Sequence, residues 1–453
     1  MINGEPGSGP APLRQISFVQ TVALIVGTVI GSGVFISLPI VARLSGSPGM
    51  GVLVWAIGGL LWIPQILILA EMGSAYPSQG ACYVYLQKAG SPFLAFLYTW
   101  TAFLTSDTPT VTIVALSAIA ALKVFSPAFT DPVWSRLMAG ALIAGLTWLH
   151  VRSVRLGGNT QIVLTITKIA PLVAVAVIGL SALSSGNLFF DVPPATLEGT
   201  TLFALITAGL SATIWSYAGF ANILYVAGEV RDPERTLPRA LVGSLLFVMT
   251  AYILISAGTS ALVPYADLVG ASGGFVNPFL YVAGLAGIAG GLFAVIAFVS
   301  MVGALNATIM LQPRLEYAIA RDGLFFPVFA RLHPRYLTPA HSIIIQSGLG
   351  ILLFLLGDLE NMLGYFTFSY ALQNVLLYGA IFFLRRRADY RPSYRAPAWW
   401  LFAGLAILIQ LYLAAGTFIA YPAGGGLAAA GLILSGLPVY FYYKRSFRHG
   451  EAL

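Results

Sequence analysis

The chain has 453 residues, of which 58% are hydrophobic and 9% charged, with a formal net charge of +7 and a mean hydropathy of +0.86. Soluble domains carry about 25% charged residues, so this composition excludes a soluble enzyme or binding module and indicates an integral membrane protein. The positive balance is what a membrane protein accumulates on its cytoplasmic side; with no soluble basic domain, nucleic acid is not an expected partner.

In chain order, residues 1–13 are rich in Gly and Pro and read as a disordered cytoplasmic segment. The first apolar run continues directly into the fold, so no cleaved leader is expected. Runs long enough to span a bilayer fall at about 17–40, 48–75, 92–122, 134–151, 160–184, 202–228, 238–264, 277–312, 340–357, 360–384, 397–419 and 424–443. They lack the short alternating pattern of barrel strands. The reading is an all-α polytopic protein of twelve transmembrane helices, one domain over 14–444, with a tail at 445–453. Of the 23 Lys and Arg residues, the external loops would hold only Arg43, Lys123 and Arg136, and Lys168 falls inside a span. That asymmetry puts both termini in the cytoplasm, and a single miscounted span would spoil it. The lone cysteine, Cys82, rules out an internal disulfide, and the scattered His150, His333, His341 and His449 give no metal site, so no metal or other cofactor is expected.

The first span carries GTVIGSGVFIS, Gly27–Ser37, with Gly31, Ser32 and Gly33 at its middle. Glycine costs a helix interior about 1 kcal/mol against alanine, and broken backbone at membrane depth is tolerated only where it is buried in protein or lines a cavity. Span three holds the polar run Thr105, Ser106, Asp107 and Thr108, followed by Pro109. Span five holds Lys168, in ITKIAPLVA, about eight residues from the span's start. An intramembrane lysine is a functional-site hypothesis by default; snorkelling to the interface is the alternative. Span six repeats the interruption in SATIWSYAGFANILYVAGE, Ser211–Glu229, at Ser216, Gly219 and Asn222. Close packing of small residues is one account of such glycines. Two weakened helices at corresponding places in two halves point instead to a transporter binding site. The free N–H groups of one half-helix suit a carboxylate and the free C=O groups of the other an ammonium; together they fit an α-amino acid. Further on, the segment 313–339, with Arg314, Glu316, Arg321, Asp322, Arg331 and Arg335, reads as a solvated positive loop, and Arg385 to Arg387 as plain topology determinants.

Five motifs carry a resemblance. GTVIGSGVFIS is similar to the G-x-x-I-G-S-G-I-F signature of the amino acid–polyamine–organocation superfamily, in particular its L-type amino acid transporters. Residues 71–100, the segment EVRDPERTLPRA at 229–240, RLEYAIARDGLFFPVFARLHPRYLTP at 314–339 and YRPSYRAP at 390–397 resemble later parts of the same family in the same order. The resemblance implies a leucine-transporter-like fold. It would be a five-plus-five inverted repeat, about 17–184 and 202–384, with broken helices 1 and 6 and two added helices at about 397–443. It implies that Gly31, Ser32 and Gly33 receive the substrate carboxylate, and that carbonyls at Val29, Trp215 and Ala218 receive the amine. Tyr217 and Gly219 then complete the site, and Trp215 also acts as a lid. It implies that Lys168, with Ser300 of span eight nearby, takes the place of a sodium ion bridging spans one and eight; otherwise Lys168 itself carries a coupling proton. It gives segment 313–339 a part in closing an inner gate.

Asp107 departs from the family pattern. It is open to four roles: taking a proton, pairing with Lys168, meeting a cationic substrate, or bonding backbone freed by Pro109. The expected function is secondary, sodium-independent transport of small or medium neutral L-amino acids, by exchange or proton symport, at a bacterial inner membrane. The small Ala218, Gly219 and Ala221 admit several side-chain sizes. The alternative within the superfamily is a cationic amino acid or polyamine transporter using Asp107. An enzyme on lipid-linked substrates would cluster acids or histidines at one interface, which the sequence does not do, and a channel would show a continuous polar pore. The expected partners are an amino acid substrate and the lipid bilayer. A disulfide-linked heavy chain is not expected, because the loop at about 123–133 has no cysteine.

Overall fold

The computed structural model describes residues 14–31, 33–182, 209–210, 213, 216–270, 276–285, 287–356, 359–420 and 427–448. Helices dominate these residues; the one β feature is an isolated bridge between Ile16 and Val230. Among the described residues seven helices are long and apolar enough to cross a membrane, from Pro48–Ala75 to Trp399–Phe418, and Phe18–Val29 and Ala340–Phe354 are shorter apolar helices.

Helix α1 (Phe18–Val29) starts at a reciprocal cap, in which the Ser17 hydroxyl accepts from Gln20 N and the Gln20 amide oxygen accepts from Ser17 N. It ends where Ile30 leaves helical geometry at ψ 83°, and α2 (Gly33–Ser45) resumes beyond the glycines. Helices α3 (Pro48–Leu60) and α4 (Ile63–Ala75) make one apolar stretch, and α5 (Ala81–Lys88) leads to α6 (Pro92–Thr101). A π-helical turn over Ala102–Asp107 joins α6 to α7 (Thr108–Ala121). Its cause is Pro109, which has no N–H for the preceding turn and whose ring crowds it. Helices α8 (Pro132–Arg152) and α9 (Val154–Ala182) follow.

Span six is interrupted where its composition suggests, α-helical at the described residues up to Ser216, but it does not resume as α-helix. Tyr217–Gly219 form a turn, and Phe220–Glu229 continue as a 3-10 helix. Gly219 sits at φ +115°, a conformation that L side chains rarely adopt. Then come α10 (Pro233–Leu262) and α11 (Tyr265–Gly270).

Span eight is displaced from its expected bounds. Asn277 caps a 3-10 turn at Pro278–Tyr281, and Gly284 at φ +80° delays the helix, so α12 (Ala289–Leu311) begins twelve residues later than 277. It runs on through Gln312 into α13 (Pro313–Arg321), since proline is tolerated in a first helical turn. The start of segment 313–339 is therefore helix, and Arg314 and Glu316 are fully buried rather than solvated. The rest is α14 (Ala340–Leu356), α15 (Leu359–Gly379), α16 (Ile381–Leu384), α17 (Trp399–Ala420), α18 (Ala428–Leu434) and α19 (Gly436–Arg448).

Helices α9, α10 and α12 pack around α1. The α9–α10 crossing depends on glycine: a Cβ on Gly179 would lie 2.2 Å from the Gly258 carbonyl oxygen, and one on Gly258 would lie 2.7 Å from that of Val175. Small residues let backbones approach this closely in membranes. Gly258→Ala is expected to push the helices apart at a cost of about 1–3 kcal/mol, read as a lowered melting temperature in detergent. An unchanged melting curve would count against this crossing.

Candidate functional site

The break in α1 leaves carbonyls at the helix end without intrahelical partners. Lys168 reaches them from α9. Its Nζ donates to the Gly27 carbonyl at 2.8 Å and also to that of Ile30, and the side chain is fully buried. A cation at a helix C-terminus is favoured by the partial negative charge there. Two other α9 residues at helical spacing with Lys168 also bond the α1 backbone: Gln161 Nε2 and Thr165 Oγ1 donate to the Ala23 carbonyl at 3.4 and 3.1 Å. Ser300 of α12 closes the other side, its hydroxyl 3.4 Å from the Ile30 oxygen and 3.3 Å from that of Gly31.

Tyr252 of α10 ties the two breaks together. Its hydroxyl bonds the Val29 carbonyl at 3.2 Å and the Ser216 carbonyl at 2.9 Å. The Val29 oxygen also accepts from Gly31 N at 3.0 Å. Ser216 in turn donates to the Ser37 hydroxyl at 2.9 Å, and a Cβ on Gly33 would stand 3.1 Å from Ser216 Cα. The broken segments are therefore in direct contact. Tyr217 lies away from the gap: it is fully buried, donates to the Trp55 carbonyl at 3.0 Å, and packs edge-on to Tyr252 with ring centroids 4.9 Å apart.

A cavity of about 100 Å³ lies against both breaks. Thr28, Val29, Gly31 and Gly33 bound it from the first break, and Ala218, Gly219 and Asn222 from the second. Ser106, Asp107, Thr110 and Val114 form a wall, and Ala304 and Thr308 of α12, Gln312 just after it, and Phe366 and Tyr370 of α15 complete the lining. Tyr370 accepts from Gly219 N at 3.3 Å and stacks on Phe366, centroids 5.7 Å apart.

Six of the predicted site residues thus share one cavity: Val29, Gly31, Gly33, Asp107, Ala218 and Gly219. Lys168 and Ser300 sit behind the break rather than in the cavity, and Tyr217 is off it. Ser32 and Trp215 lie outside the described residues. Thr308, Gln312, Phe366 and Tyr370 were not among the predicted residues. The four-residue spacing of Thr308 and Gln312, two polar residues on one side of an apolar helix, is a usable signal for both.

Asp107 is 3% exposed, and its Oδ2 has no hydrogen-bond partner. It forms no ion pair with Lys168, which is held by carbonyls. Nor does it serve the backbone around Pro109, where Thr105, Ser106 and Thr110 hydroxyls bond the carbonyls of Thr101, Ala102 and Ser106.

The arginines at one end of the molecule do more than set topology. Arg314 Nε donates to Glu229 Oε1 at 2.9 Å with both side chains buried, and Gln79 Nε2 donates to the same oxygen at 2.7 Å. Arg385 grips Glu71 with two bonds of 2.7 and 2.6 Å, and Tyr390 OH and Ala396 N complete that carboxylate's partners. Arg387 pairs with exposed Asp389 at 2.8 Å and holds its carboxyl down to about 2.

A family model described as amino acid permease matches residues 16–440. The chain is 30% identical over 446 residues to the mouse b(0,+)-type amino acid transporter 1, covering 95% of this chain and 88% of that protein. It is 27% identical over 441 residues to the serine/threonine exchanger SteT of Bacillus subtilis, with 95% and 97% covered. It is 26% identical over 443 residues to the human large neutral amino acids transporter small subunit 2, with 97% and 82% covered.

Proposed function

The chain belongs to the amino acid permease family, and from that premise we propose that it is a sodium-independent secondary transporter of small or medium neutral L-amino acids. Membership makes it a multi-pass membrane transporter of amino acids rather than an enzyme. The proposal extends to a single domain of twelve spans, a five-plus-five inverted repeat with two added helices. Both termini are placed in the cytoplasm and the protein in a bacterial inner membrane. No heavy chain is disulfide-linked to it, since residues 123–133 contain no cysteine.

The observation that carries this reading is the meeting of two broken segments at one cavity, with a lysine ammonium already seated on the carbonyls of the first. In the proposed site the N–H groups at Gly31, Ser32 and Gly33 receive the carboxylate. Of the carbonyls assigned to the amine, Val29's already accepts from Tyr252 and Gly31, which shifts that task toward Trp215 and Ala218. Trp215 covers the substrate. Lys168 supplies the fixed positive charge that a sodium ion would otherwise provide, and Ser300 braces the same carbonyls. Access alternates as the broken segments move against their neighbours. The exchanger among the relatives, named for serine and threonine, supports small neutral substrates and exchange.

A second reading has one observation behind it: the unpartnered Asp107 oxygen in the cavity wall suits a cationic side chain. Ligand binding to the folded state raises stability by about 2.7 kcal/mol at a hundredfold excess over Kd, so a melting panel separates the two. Neutral L-amino acids are expected to raise the melting temperature without sodium. Stabilisation by lysine, arginine or polyamines alone would favour the second reading, and a requirement for sodium would contradict the first.

A further inference from the structure

The face of α12 that lines the cavity does not stop at its edge. Ala304, Thr308 and Gln312 follow one another at four-residue spacing, which keeps them on one side of the helix. The next position on that side is Glu316 in α13. It is fully buried, and neither of its carboxylate oxygens has a hydrogen-bond partner. Asp107, in the cavity wall, has an orphaned oxygen of its own. Three carboxylate oxygens without partners, one in the cavity wall and two a helical turn beyond the cavity residue Gln312, require an explanation, since such groups are normally satisfied when buried.

Among the described residues the neighbouring lysines and arginines have other partners. From α5 come Cys82, Tyr83 and Tyr85, with Lys88 paired to Asp389; α6 adds Tyr98 and α15 adds Tyr370. The 3-10 segment brings Tyr225 and Glu229, and Glu229 is bound to Arg314. On α13 itself Arg321 lies over the Tyr317 ring, and α14 begins with His341, whose Nδ1 has no partner. Lys168 is held by the α1 carbonyls.

Charge balance then sets the number of protons. Among the described residues the buried acids Glu71, Asp107, Glu229 and Glu316 face the cations Lys168 and Arg314 and the partly buried Arg385. With both free acids ionised, one negative charge is left uncompensated in an apolar interior, where an isolated ion is strongly disfavoured. One proton on the pair makes the set neutral.

We propose that Asp107 and Glu316 bind one proton between them and that this proton moves with a neutral amino acid. The proposal rests on the transport reading above. An O–H bond forms on a carboxylate as one breaks in hydronium on the source side, and the reverse occurs on the receiving side; no other bond changes. Lower pH on the source side therefore favours uptake.

The test uses the full chain in sodium-free liposomes holding a trapped pH dye, with equal pH on both sides. Adding external neutral L-amino acids is expected to acidify the lumen. Glu316→Gln is expected to cut that signal by about tenfold or more, as removal of a relay acid would, while counterflow of labelled amino acid at equal pH persists. Glu316→Asp keeps a titratable group and is expected to retain acidification, which separates loss of the proton site from loss of the fold. Counterflow without acidification in the unaltered protein, or full acidification by Glu316→Gln, would overturn the proposal while leaving amino acid transport intact. Absence of counterflow with every amino acid would remove the transport reading and this proposal with it.

Discussion

Lys168→Ala is expected to stop amino acid transport while the protein still inserts and purifies as a folded species. The ammonium sits on the Gly27 and Ile30 carbonyls, at the point where α1 leaves helical geometry. Alanine would leave both carbonyls short of their donor in a buried site, at about 1–3 kcal/mol for each group left unsatisfied. It would also remove the cation that fixes the broken end. Ser300 and the α9 contacts of Gln161 and Thr165 remain, so α1 stays in place while its break loses its shape. A loss of about 3 kcal/mol from the binding-competent arrangement lowers its population, and hence apparent affinity, by about a hundredfold. Uptake into liposomes, paired with a size-exclusion profile, reads this directly. Normal uptake by the variant would remove Lys168 from the mechanism.

The second large effect is on stability. Arg314 and Glu229 pair at 2.9 Å with side chains 0% and 2% exposed. A buried pair is not by itself strong evidence of stabilisation, but removing one partner strands the other charge, at about 3–5 kcal/mol. Glu229→Gln is expected to give a sharply lowered melting temperature and aggregated material in detergent. Replacing both residues, Glu229→Gln with Arg314→Met, is expected to recover much of the loss, because no lone charge remains buried. The pair also joins α13 to the segment that follows the second break, beside the bridge in which Ile16 N donates to the Glu229 carbonyl at 2.9 Å. The start of α1 and the end of the 3-10 segment are thus fastened together. A melting curve unchanged by Glu229→Gln would show that Arg314 finds charge compensation elsewhere.

How much of this was legible in the sequence depended on the range of the interactions. The break at Gly31–Gly33 was legible because glycines stand out inside an apolar run, and Lys168 because a lysine at membrane depth has few bland explanations. The cavity position of Asp107 followed from its place mid-span. The burial of Arg314 and Glu316 and the pairing of Arg385 with Glu71 were not legible. A cluster of charges beside an apolar run looks the same whether it meets water or distant acids, and the partners of Arg314 and Arg385 lie 85 and 314 residues away. The late start of α12 was hidden because residues 277–288 are themselves mostly apolar; only Asn277–Pro278 and Gly284 mark the delay. Tyr217, which the resemblance assigns to the substrate site, instead directs its hydroxyl to the Trp55 carbonyl, a long-range contact that the local sequence does not signal.

The central claim is that an amino acid binds at the cavity between the two breaks and is carried without sodium. Counterflow tests it most directly: liposomes containing the purified protein are loaded with unlabelled neutral L-amino acid, diluted into sodium-free buffer with a trace of labelled amino acid, and followed in time. The account predicts a transient, saturable accumulation of label that requires internal amino acid and is lost in Lys168→Ala. Label entry that is unsaturable and indifferent to the internal amino acid, or that appears only when sodium is added, would contradict it.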